Sequence, residues 1–123
     1  MQQNHHAISR CVLALSLFLI PAVAYAAPID RCSGGNRAER KVTCIVDGDT
    51  GWERGVKWRL SAVDTPERGN RAACAAERRM SARATQRLIQ LMRGGYRLVQ
   101  TGKRGKYKRV LVRVRLKDGR DAG

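Results

Sequence analysis

The chain has 123 residues, enough for one small domain, and 25 Lys plus Arg stand against 10 Asp plus Glu for a formal charge of +15. That balance argues against a cationic partner and favours an anionic one. A nucleic acid comes first, because Lys and Arg that neutralise phosphates release counterions. A solvated basic face and attraction to anionic lipid are the alternatives.

Residues 1–26 read as a secretory leader. Arg10 supplies a positive charge, Cys11 to Ile20 is almost wholly apolar, and Ala24-Tyr25-Ala26 has the small-x-small form that places cleavage after Ala26. Pro21 interrupts the apolar run, which is short for a membrane span, so no stable membrane association is expected after cleavage. The protein is then secreted or periplasmic. Both histidines, His5 and His6, leave with the leader. What remains cannot run a Ser-His-Asp or Cys-His mechanism, nor build the usual Cys and His zinc sites.

Residues 27–40 hold Pro, two Gly and several charges without an apolar period, and read as an arm. The domain is expected over 41–123. In Lys41-Val-Thr-Cys-Ile-Val-Asp47, Val42, Cys44 and Val46 alternate with Lys41, Thr43 and Ile45 as in a half-buried strand. Asp47-Gly48-Asp49 is a turn signal. Residues 51–64 follow as two strands about Arg54-Gly55, with Trp58, Leu60 and Ala62 on one face, Arg59 and Ser61 on the other, and Asp64 closing the third strand. Arg71 to Arg93 favours a helix, with Cys74, Ala84, Leu88, Leu91 and Met92 on its inward stripe and Gly94-Gly95 as its stop. Tyr96 begins a fourth strand. In the fifth, Val110, Val112, Val114 and Leu116 face one way, and Leu111, Arg113 and Arg115 the other.

Three cysteines follow the leader, Cys32, Cys44 and Cys74, and an oxidising compartment favours one disulfide among three possible pairings. Cys32 with Cys44 is preferred, since both flank the first strand and would staple the arm to it. Three strands, a helix and two strands make a mainly β fold with α, and the order is that of an OB-fold, a five-stranded barrel with its helix between strands 3 and 4. A small α+β sandwich has a similar element string.

Asp49 follows the first strand and Asp64 ends the third, so neighbouring strands would let the two carboxylates converge. Oxygen ligands without His or Cys suit a hard cation, Ca²⁺ or Mg²⁺. Glu67, beyond Pro66, is placed to orient or deprotonate a water, and Arg59 on the strand before Asp64 to bind phosphate in a bidentate way. Each piece alone has a plain alternative: D-G-D-T as a turn, Asp64-Thr65-Pro66-Glu67 as a helix cap, Arg59 as a solvated strand arginine.

Together, D-G-D-T at 47–50 and R-L-x-x-V-D-T-P-E at 59–67 resemble the staphylococcal nuclease (thermonuclease) family, over roughly Lys41 to Gly123. The resemblance implies a Ca²⁺-dependent phosphodiesterase on an OB-fold, cleaving DNA and RNA with little sequence preference and leaving 3′-phosphate ends. Magnesium would suit the residues alone equally well. By resemblance Asp49, Asp64 and the backbone carbonyl of Thr65 hold the metal, and Asp47 supports them from behind. Glu67 acts on the attacking water, while Arg59 and Arg109 bind the scissile phosphate. Lys106 and Tyr107 fall where the family contacts terminal phosphate and base.

Three departures go with it. The connection from Thr50 to Arg59 is short, Gly105 and Lys108 stand where the family has Asp and Gly, and the family continues into C-terminal helices, so that the resemblance implies a form truncated at the C-terminus; a monomer is expected. The second functional expectation is a nucleic-acid-binding OB module without catalysis, which would not need Glu67.

Overall fold

A computed structural model of the protein describes residues 28–123, and the leader expected at residues 1–26 lies outside them. Strands β1 (Cys44–Asp47), β2 (Thr50–Glu53) and β3 (Val56–Leu60) precede helix α1 (Ala75–Arg93), and β4 (Tyr96–Arg104) and β5 (Val110–Leu116) follow it. The mainly β element order expected from the sequence is thus present. The strands form one mixed sheet in the order β1-β2-β3-β5-β4, antiparallel except for the β3–β5 pair.

The β2–β3 hairpin turns at Arg54 and Gly55, both with positive φ (46° and 82°), the backbone of a two-residue turn whose twist matches the strands. A side chain at Gly55 would strike the carbonyl of Ala38, because the arm runs behind the turn. Gly51 is required for another reason: a Cβ there would lie 2.4 Å from the ring of Trp58, which is 1 % exposed at the centre of the core. Around Trp58 gather Ile29, Ile45, Leu60, Leu88, Ile89, Met92, Val112, Val114 and Leu116.

Several local expectations need correction. Ile45, expected outward, is fully buried, while Val46 is only half-buried. A register irregularity between Ile45 and Asp47 shifts the alternation, and the arm covers Cys44 from the opposite side. The third strand stops at Leu60, leaving Ala62 exposed and Asp64 in a loop, because pairing with β5 ends at Leu60 and Val112. Helix α1 starts at Ala75, after a 3₁₀ turn at Gly69–Arg71, and buries Ser81, Thr85, Leu88, Ile89 and Met92. Cys74 is its exposed N-cap and not part of the buried stripe.

The expected arm is tied down. Cys32 and Cys44 form a disulfide, Ile45 N–H donates to Asp30 O and Cys32 N–H to Ile45 O, and Ile29 enters the core. The sheet does not close into the expected barrel, since β1 and β4, its outer strands, are not paired with each other. An open groove of about 1040 Å³ lies along the seam, lined among others by Ile29, Val56, Trp58, Met92, Tyr96 and Leu98. Side chains bridge it instead of backbone: the Tyr96 hydroxyl donates to Glu53 at 2.6 Å, and Arg93 donates to the Ile29 carbonyl at 3.2 Å. Among the described residues no helix is long and apolar enough to cross a membrane.

Candidate functional site

Asp49 sits just before β2, buried to 4 % exposure, at the end of the tight Asp47-Gly48-Asp49 turn. Its carboxylate accepts a 2.6 Å hydrogen bond from the hydroxyl of Thr50, and its backbone carbonyl accepts the N–H of Leu60. The aspartate is therefore held by both strands of the hairpin. Thr50 pairs with Arg59 across β2 and β3, which brings the Arg59 side chain to the same face as the Thr50 hydroxyl.

One guanidinium nitrogen, Arg59 Nη2, contacts both carboxylates, Asp49 Oδ2 at 3.2 Å and Asp64 Oδ1 at 2.6 Å. Asp64 approaches from the exposed 61–68 loop, while Asp49 comes from beneath. The loop is anchored beside the turn: a Cβ at Gly48 would lie 2.7 Å from Ala84 of α1 and 2.9 Å from the Thr65 methyl. The absence of a side chain at Gly48 lets helix, loop and turn meet. Asp47, Asp49, Arg59, Asp64 and Thr65 are thus brought together.

Asp47 ends β1 and is half-buried. Its Oδ1 accepts the Asp49 N–H at 3.4 Å and its Oδ2 faces Arg68 at 3.6 Å. Burial pushes its carboxyl above the ordinary value, assisted by a side-chain hydrogen bond with Asp49 and by that neighbour's charge. On the same sheet face as Arg59, burial and then the charge of Arg109 hold the Lys57 ammonium below its ordinary value, and Lys57 lies over the Trp52 ring at 5.9 Å.

Glu67 and Arg109 do not join the group. The Glu67 carboxylate faces Arg71 at 3.3 Å and is largely exposed, while its backbone N–H donates to Glu77 of α1. Arg109 donates to the Lys106 carbonyl at 3.0 Å and lies over the Tyr107 ring at 5.7 Å. Since Val110 pairs with Trp58, Arg109 comes level with Lys57, one step of the alternation before Arg59. Among the described residues it forms no ion pair with Asp49, Asp64 or Glu67. Lys106 and Tyr107 occupy the exposed 3₁₀ turn before β5, and Tyr107 and Lys108 both take positive φ.

Three contributors were missed from the sequence. Thr50 orients Asp49, Arg68 faces Asp47 at 3.6 Å, and Glu77 fastens the loop carrying Glu67 by accepting the N–H groups of Glu67 and Ala73. Thr50 was open to inference from its place beside Asp49; the other two depend on loop geometry that no spacing states.

Among the described residues no three His, Cys, Asp or Glu side chains form a ready-made metal cluster. The donor chemistry nonetheless fits a hard cation, since the two carboxylates offer only oxygen and a guanidinium cation already sits between them. Compared with protein-family models, curated proteins and solved structures, the chain finds no match. Fold and site together define a small mixed-sheet domain with one helix and an acidic pair clamped by arginine.

Proposed function

We propose that the protein is a metal-dependent phosphodiesterase of the staphylococcal nuclease type, hydrolysing DNA and RNA with little sequence preference. The observation carrying this reading is the meeting of Asp49 and Asp64, fifteen positions apart in sequence, on a single nitrogen of Arg59. Two carboxylates around one cation, on a chain of charge +15, make sense where a cation and a phosphate must share one place. The strand order, with β3 and β5 parallel, supports an OB-type barrel left open between β1 and β4.

Asp49, Asp64 and the Thr65 carbonyl would hold the ion, Ca²⁺ by resemblance, which when bound offsets phosphate charge and polarises the P–O bonds. Thr50 keeps the Asp49 carboxylate in position. Arg59, released from the two carboxylates, turns its planar fork to the scissile phosphate, and Arg109 supplies a second cation from the start of β5. Glu67 leaves Arg71 and accepts the proton of the attacking water; the 5′ oxygen departs and takes a proton from solvent. The Cys32–Cys44 disulfide supports action in an oxidising compartment outside the cytoplasm.

The ion pair of Glu67 with Arg71 favours a second reading, a nucleic-acid-binding module without hydrolysis. The two part in an assay of plasmid and single-stranded DNA with Ca²⁺, Mg²⁺ or chelator. Calcium-dependent cleavage is expected, with Glu67→Gln lowering the rate about 10²- to 10⁴-fold, the usual contribution of a positioned acid or base. Salt-sensitive binding without cleavage would sink the enzyme.

A further inference from the structure

The basic charge does not end at the candidate site. In a parallel pair Arg59 lies opposite Leu111, so the face carrying Arg59 continues along β5 through Arg113 to Arg115. Strand β4 adds to it, since Val99 pairs with Arg113 and Arg97 with Arg115. Two arginines directly opposite each other repel, and a solvated face would ordinarily avoid that arrangement.

Among the described residues none of Arg97, Arg113 and Arg115 lies within ion-pair distance of a carboxylate. Arg115 reaches only the Gly119 carbonyl, at 3.5 Å. Asp121 bridges to Arg115 through its backbone, but its carboxylate accepts the Gly123 N–H. Beside these cations the surface is concave: an open hollow of about 590 Å³ is lined by Gly95, Arg97, Arg115, Lys117 and Gly119 among others.

We propose that this hollow is an anion site that takes a phosphate of single-stranded nucleic acid, remote from the Asp49 and Asp64 carboxylates. The inference rests on the nucleic-acid reading above and deepens it. At about 3.3 Å per residue, the six positions from Arg109 to Arg115 span roughly 20 Å, so only a strand several nucleotides long can reach both ends. Arg109, Arg113 and Arg115 stand on one face of one extended segment, interrupted by Leu111, and so follow a single line. They suit one backbone rather than the two of a duplex.

The test is binding of fluorescent thymidine trinucleotide and dodecanucleotide in chelator, where cleavage does not intrude, with Arg97 and Arg115 both changed to Gln. Dodecamer affinity should fall about tenfold at low salt, and the slope of log K against log salt should shrink by about 0.7 for each phosphate no longer neutralised. The trinucleotide should bind unchanged, and the double change to Lys should keep most of the affinity. Equal losses for both oligonucleotides, or no loss for either, would overturn the site. So would dependence on these arginines shown by phosphatidylglycerol vesicles but not by the dodecamer. If cleavage fails while the dodecamer still needs Arg97 and Arg115, the enzyme reading falls and the hollow stands; cleavage with an indifferent dodecamer means the reverse.

Discussion

At the scale of single residues, the site depends on small side chains as much as on charged ones. Gly48 makes room for Ala84 and Thr65, and Thr50 supplies the one hydroxyl directed at buried Asp49. The turn aiming Arg109 is less comfortable, because Tyr107 and Lys108 hold φ of 59° and 58°, a left-handed conformation that costs a side-chain-bearing residue about 1–2 kcal/mol. Lys108 is also where the resemblance read from the sequence would put glycine, and at the positive φ there lysine carries a backbone cost that glycine would not. Lys108→Gly should stabilise the protein by about 0.5 kcal/mol, relief of the backbone being partly offset by the freer unfolded chain. The midpoint of urea unfolding measures it.

At the scale of elements, the strands and the end of α1 were legible because their signals are local: alternation in β5, Arg54-Gly55 between β2 and β3, Gly94-Gly95 after Arg93. The start of α1 was not. The composition from Arg71 onward favours helix, but Glu77 turns its carboxylate back onto the N–H groups of Glu67 and Ala73, fixing the preceding segment as a loop. Cys74 is left as an extended N-cap with no side-chain hydrogen bond to the helix. Cys74→Ser introduces an oxygen that can accept from the first turn, and should raise stability by about 0.5–1 kcal/mol. Thermal unfolding of freshly isolated monomer without added reductant, which leaves the Cys32–Cys44 disulfide intact, checks this.

At the scale of the molecule, the open seam is the feature to probe. With β1 and β4 unpaired, the hydrogen bond from Tyr96 on β4 to Glu53 on β2 is one of the contacts joining the two sides. Tyr96→Phe should cost about 1–2 kcal/mol near neutral pH, between the values for a neutral hydrogen bond and for one to a charged acceptor, because the site is only half-buried. Burial and then the bond to Glu53 push the Tyr96 phenol well above its ordinary value of 10.0. Above that pH the unfolded chain loses the proton before the folded one does, so this contribution is complete below about pH 10 and is lost as pH rises further. Denaturant unfolding should therefore show the wild-type advantage over Tyr96→Phe narrowing above pH 10. A gap that widens there would contradict the bond.

The basic charge, the element order, the alternation of β5 and the residue types at the site were legible in the amino-acid order, since each follows from composition or local period. That order also favoured the Cys32–Cys44 pairing that the structure contains. The fold was needed to see Asp49 and Asp64 meet on Arg59, because their separation depends on how the 61–68 loop returns over Gly48. It alone left β1 and β4 unpaired, since closure of a sheet depends on its accumulated twist and on what fills the seam. It alone turned Glu67 to Arg71, because an exposed carboxylate on a loop takes the nearest cation that the surrounding fold presents.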